Sequence, residues 1–131
     1  MTIIWYYIYM TKNEVSLTSS GIVEFIVRGD QTPESINKMA DTANRLMKKQ
    51  RLAGKPAIML DDLTEMGRVS PSGRSIVVQR AKEIDYDKLA FVINDAPIRL
   101  VSNLIIRAIN KGDKVRNFAT SEDAVKWLIA K

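Results

Sequence analysis

The stretch Ala57-Ile58-Met59-Leu60 is apolar at every position and too short for a helix, so it suits a strand covered on both faces, as in a parallel sheet. It runs into Asp61 and Asp62, a polar loop is expected as far as Val69, and Ser70-Pro71-Ser72-Gly73 opens a helical segment. Residues just past the carboxyl end of such a strand stand where open α/β sheets place their sites. The segment 57–74 is therefore the expected centre of both fold and function.

The rest of the chain supplies the layers that such a strand needs. Ile3 to Tyr9 is β-branched and aromatic with both alternate faces apolar, and reads as a strand. A weaker strand follows from Val15 to Thr18, then a turn at Ser19, Ser20 and Gly21, then a strand from Ile22 to Arg28, which together predict an antiparallel meander. At Thr32-Pro33-Glu34 the period changes: an N-cap, a proline at the first helical position and an acid in the first turn start a helix. Its Ile36, Met39, Ala40, Ala43, Leu46 and Met47 form an apolar stripe, and Gly54 and Pro56 end it.

Beyond the central segment, Ser72 to Ile84 contains the β-branched run Ile76-Val77-Val78, but its length and the later Arg80, Ala81 and Ile84 favour a helix. Lys88 to Asn94 repeats the buried-strand pattern. Asp95 and Pro97 start another helix, with Ile98, Val101, Leu104, Ile105, Ala108 and Ile109 as its stripe and Lys111-Gly112 as its closing turn and left-handed C-cap. Lys114 to Ala119 reads as the last strand, and Ser121, with Glu122 and Asp123, caps a final helix carrying Ala124, Trp127, Leu128 and Ile129. The expectation is an α/β fold over residues 1–131 as one domain: a mixed, mostly parallel sheet with an N-terminal antiparallel meander and about four helices, joined by right-handed crossovers.

Composition narrows the chemistry. The 131 residues include neither cysteine nor histidine, which removes disulfides, thiol nucleophiles, cysteine-ligated metals and the commonest general base. No Gly-x-Gly-x-x-Gly, Walker loop or Gly-x-Ser-x-Gly is present. Asp61, Asp62 and Glu65 are oxygen ligands in principle, but the two aspartates are sequence neighbours and point to opposite faces of a strand, so neither a metal site nor a carboxylate pair is expected. No cofactor and no catalysis are expected. The net charge is +5, with the basic excess on the helices flanking the central segment. Lys48, Lys49 and Arg51 sit in a last helical turn, where cations favour the macrodipole, and no aromatic residue is interleaved among them, so nucleic acid is not the expected partner. No stretch reaches the roughly 20 apolar residues of a membrane span, the opening ten residues lack the marks of a signal peptide, and a cytoplasmic location is expected.

Ser70-Pro71-Ser72-Gly73 has two readings. Ser70 capping a helix with Pro71 at its first position needs no function, whereas a helix N-terminus beside Arg68 and Arg74 also attracts an anion or a phosphorylated group. The residues carry a further sign. Asp62-Leu63-Thr64 followed by Val69-Ser70-Pro71-Ser72-Gly73 resembles the signature of STAS domains, in which Asp-Leu-Ser precedes an apolar residue and Asp-Ser-Ser-Gly at the same spacing. Lys114 to Phe118 leading into Ser121 to Leu128, together with Gly29-Asp30, Thr32-Pro33-Glu34 and the strand Lys88 to Asn94, is similar to the SpoIIAA-like branch of that family, the anti-sigma factor antagonists.

The resemblance implies a non-catalytic interaction or regulatory module that docks a protein partner through Asp62, Thr64, Arg68, Ser70, Ser72, Gly73 and Arg74. It also implies that phosphorylation at the family position is lost, since Pro71 stands at the phosphoacceptor serine and Ser70 at the preceding aspartate, leaving Ser70 and Ser72 as the remaining hydroxyls. The branch's likeness to Sec14-type lipid binders implies an alternative, a carrier of a small hydrophobic ligand, lipid or anion. The aromatic strand Ile3 to Tyr9, with no spare polar face, adds the expectation of a homodimer if it lies at a sheet edge.

Overall fold

A computed structural model describes residues 13–131, so the expected strand Ile3 to Tyr9, and the dimer argument built on it, lie outside the described residues. Five strands form one sheet whose spatial order follows the chain. β1 (Glu14–Leu17) and β2 (Ile22–Gln31) make an antiparallel hairpin, while β3 (Ile58–Val69), β4 (Lys88–Val92) and β5 (Val115–Phe118) are parallel to β2. The helices α1 (Pro33–Leu52), α2 (Pro71–Glu83), α3 (Ala96–Ile109) and α4 (Ser121–Ile129) provide the connections and the final element. The expected mixed, mostly parallel α/β sheet with four helices is the observed one.

Alternation along the strands sorts the core into two layers. Val23, Phe25, Met59, Leu63, Leu89 and Phe91 face one way and pack with side chains of α1, α2 and α3. Ile22, Ile58, Leu60, Ala90 and Val92 face the other way, against Ala124 and Leu128 of α4. The predicted stripe of α1 is buried at Ile36, Met39, Ala40, Ala43 and Met47, each of the larger side chains contributing about 1.5–3 kcal/mol. Its start is fixed reciprocally: Thr32 N donates to Ser35 Oγ at 3.0 Å and Ser35 N to Thr32 Oγ1 at 3.2 Å.

Four sequence expectations need correction. The polar segment Asp62 to Val69 is not a loop but the second half of β3, paired with β2 at Arg28 and Glu65, Gly29 and Met66, and Gln31 and Val69. Backbone hydrogen bonds hold this extension, and two register shifts, at each of which β3 carries one residue more than β2, bend it. Gly29 takes the positive φ of 71° there, and the buried Gln31 donates from Nε2 to the carbonyls of Arg28 and Gly29 at 3.0 Å, closing polar groups that the bulge frees. The C-cap of α3 is Asn110 in the left-handed region, not Gly112, which lies in a following 3-10 turn. Thr120 rather than Ser121 caps α4, accepting from Asp123 N at 3.2 Å. In α3 the stripe is narrower than expected, because Leu104 is 59% exposed and Ala108, one turn later, is exposed as well.

Candidate functional site

The second half of β3 stands away from the layer above it, and a cavity of about 420 Å³ lies between the sheet and helices α2 and α3. Its wall is apolar for the most part, with Met39, Met59, Met66, Phe91, Ile98 and Ile105 among its lining. Its size is in the range of small-ligand pockets. Among the polar side chains that interrupt the lining, four have a buried atom without a hydrogen bond: Asp61 Oδ1, Arg74 Nε, Arg80 Nε and Tyr86 Oη.

Asp61 lies in the middle of the sheet, paired in register with Phe25 on β2 and Phe91 on β4, both on the same apolar face. The residue is half-buried because its side chain meets the cavity, but Oδ1 has no exposed surface. Burial alone pushes its carboxyl up to about 7, and no cation offsets it. Burial, followed by the nearby Asp61 charge, also raises the Tyr86 hydroxyl above its ordinary value. Arg80 is differently placed: its Nη2 donates to Asp41 Oδ1 at 2.6 Å and its Nη1 to Asn37 Oδ1 at 3.3 Å, tying α2 to α1. The Arg74 side chain makes no hydrogen bond or ion pair to any of the described residues, while its backbone N–H donates to the Ser70 carbonyl at 2.9 Å.

The residues expected from the sequence fall into two groups. Asp62 points to the opposite face from Asp61, as neighbouring positions must, and accepts from Thr64 N at 3.0 Å and from Thr64 Oγ1 at 2.7 Å, so these two residues satisfy each other in a local turn of side chain on backbone. Ser70 Oγ accepts from Gly73 N at 3.0 Å and stands 3.2 Å from Ser72 Oγ. Pro71 is the first residue of α2, so the capping reading of this motif holds in full. Gly73 is buried, and a Cβ on it would meet Val69 Cγ1 at 3.0 Å and Ile36 Cδ1 at 3.2 Å, which explains a glycine inside a helix as a close approach to β3 and α1. Arg68 has its backbone N–H on Asp30 Oδ1 at 2.8 Å and an exposed side chain that joins Arg74 in the cavity lining. Of the seven expected residues, only Arg68 and Arg74 reach the cavity.

The family model described as SpoIIAA-like matches residues 22–129. The chain belongs to the SpoIIAA-like family. Among solved structures it is similar to an uncharacterized protein with a SpoIIAA-like fold from Shewanella loihica, at 17% identity and a TM-score of 0.61, covering 88% of this chain and 91% of that one. It is also similar to the anti-sigma factor antagonist SpoIIAA in its unphosphorylated form, at 13% identity and a TM-score of 0.55 over 88% and 96% of the two chains. The phosphorylated form of SpoIIAA, the Bacillus cell fate determinant, gives 14% identity and the same TM-score over 88% and 97%. No curated protein matches the chain.

In this SpoIIAA-like chain the cavity is what the sequence did not announce. Tyr86, Arg80 and Met66 were not expected site residues, and Asp61 was considered only as a metal ligand or half of a carboxylate pair. A signal for Asp61 was present in the alternation Met59-x-Asp61-x-Leu63, which sets a carboxylate on the same face as two core side chains. Among the described residues no group of three or more acidic side chains is arranged to hold a metal ion, and no helix is long and apolar enough to cross a membrane.

Proposed function

We propose that this SpoIIAA-like protein is a non-catalytic, cytoplasmic binding module that carries a small hydrophobic ligand in the cavity beneath α2 and α3. The observation that carries this reading is the cavity itself: a partly open, mostly apolar concavity of about 420 Å³, in the size range of small-ligand sites, beside an unpartnered carboxyl. The missing histidine and cysteine favour binding over catalysis. The test is native mass spectrometry of the purified full chain, followed by thermal shift with straight-chain fatty acids. A ligand in excess at 100 times its Kd stabilises by about 2.7 kcal/mol and raises Tm measurably. No retained mass and no shift with any fatty acid would overturn the carrier reading.

A protein-docking role at the start of α2 is supported by a different feature. Ser70, Ser72 and Arg68 are exposed together around the first turn of α2, and a phosphate on Ser72 would stand at the positive end of that helix beside a cationic side chain. With a partner in hand, Arg68→Glu is expected to weaken the complex at least tenfold, and unchanged affinity would remove this surface from consideration.

A further inference from the structure

Two of the unpartnered groups in the cavity lie on different stretches of its wall and do not meet. Asp61 belongs to the part of β3 that pairs with β4, whereas Arg74 lies in the first turn of α2, which begins after β3 has run on to Val69. Eight residues of strand at ~3.3 Å, less the ~6 Å that α2 returns before Arg74, set the two roughly 20 Å apart at most. They do not form an ion pair, and the Asp61 carboxyl shows no influence of a cation. Beside Asp61 is the buried Tyr86 hydroxyl, also without a partner. Beside Arg74 in the lining is Arg68, so one stretch of the wall is cationic and the other presents a carboxyl and a phenol. Between them the wall is apolar. Buried polar atoms are nearly always hydrogen-bonded, and two such stretches separated by an apolar wall describe the complement of a ligand.

Resting on the carrier reading, we propose that the cavity takes a slender amphiphile with an anionic head held by Arg74 and a hydroxyl at its far end held by Asp61 and Tyr86. A planar guanidinium suits a carboxylate head, which it grips through two parallel hydrogen bonds. Asp61 Oδ1 accepts from the ligand hydroxyl, and the Tyr86 phenol donates to it, so both orphaned atoms are satisfied by one group. At the ~30 Å³ that a water occupies, the cavity has room for about 14 non-hydrogen atoms, close to the roughly 15 of 12-hydroxydodecanoate. Arg80 is not the head-binding residue, because Asp41 and Asn37 already hold its guanidinium.

The experiment is calorimetric titration of the delipidated full chain with ω-hydroxy fatty acids of ten to sixteen carbons, each against its unsubstituted fatty acid and its methyl ester. The hydroxy acid is expected to bind about tenfold more tightly than the plain acid, the advantage of one well-made buried hydrogen bond. Asp61→Leu is expected to erase that advantage while the plain acid still binds. The methyl esters are expected to bind at least tenfold more weakly than the acids to the native chain and equally with them to Arg74→Gln. If either variant fails to fold, the native chain alone decides through its ranking of hydroxy acid, plain acid and ester. Plain and hydroxy acids binding equally at every length would overturn the inference and leave the carrier reading standing. No binding by any of the three series would overturn both.

Discussion

Replacing Asp61 with asparagine tests the burial of this carboxyl directly, because the two side chains have the same shape and only the aspartate can ionise. Burial holds the native Asp61 at about 7, while in the unfolded chain it titrates near its ordinary value of about 3.9. The folded state therefore binds the proton more tightly, and stability falls as pH rises from about 4 to about 7, then levels. Three pKa units at 1.36 kcal/mol each make the full loss about 4 kcal/mol, an upper figure because water entering the cavity would lower it. Asp61→Asn escapes this loss. Its stability relative to the native chain should be nearly equal at pH 4 and greater by as much as ~4 kcal/mol at pH 8, a shift of roughly 2 M in the urea midpoint. Urea unfolding of both chains at half-unit pH intervals measures the difference, and all other titrating groups cancel between them. A difference that stays constant from pH 4 to pH 8 would show that the Asp61 carboxylate is solvated, and would refute the account of Asp61 as a buried carboxyl.

Three further substitutions test the surroundings of the site by chemical denaturation. Gly67→Ala would drive a Cβ into Asp30 Oδ1 and to 3.1 Å from the Asp30 nitrogen, so a loss of about 1–3 kcal/mol is expected; unchanged stability would mean that the β2 and β3 extensions are not closely apposed. Ser70→Ala removes the hydroxyl that receives Gly73 N and should cost about 1 kcal/mol, with Ser70→Gly costing only a few tenths. Lys111→Met frees the carbonyls of Ala81 and Ile84, which Nζ now reaches at 2.9 and 3.1 Å at the end of α2, and removes a cation 4.3 Å from the Tyr86 ring; a loss of about 1–3 kcal/mol is expected, and a gain in stability would show that burial of the ammonium outweighs those bonds.

What could be read in the sequence and what could not divide along a physical line. The start of α1 was legible because capping and helical period act through adjacent residues: Thr32, Pro33 and Glu34 lie within one turn, and Ile36 to Met47 repeat on one face. Ala57 to Leu60 and Leu89 to Val92 were legible because burial on both faces leaves no polar position. The second half of β3 was not, since Thr64, Glu65, Gly67 and Arg68 are exposed and are held in the sheet by backbone pairing with β2, which side-chain pattern does not encode. The caps at Asn110 and Thr120 each lay one or two residues from an equally plausible capping residue, and only the local backbone decides between such neighbours. The cavity was invisible for a further reason. It is a distance between a sheet and two helices, and the residues that line it, Met39, Phe91 and Ile98 among them, are the same types that would fill an ordinary core.

The order of strands in the sheet has a consequence for how the molecule is made. Because spatial order and chain order coincide, each strand leaving the ribosome finds its neighbour already present, and the sheet grows from one edge without waiting for a later strand to be inserted. The cavity is finished late in that sequence, since α3 supplies its last wall through Ile98, Val101 and Ile105. A nascent chain halted before Ala96 would hold Asp61 already set in its strand and open to water on the side that α3 later covers, a half-built vessel with its most costly residue still solvated.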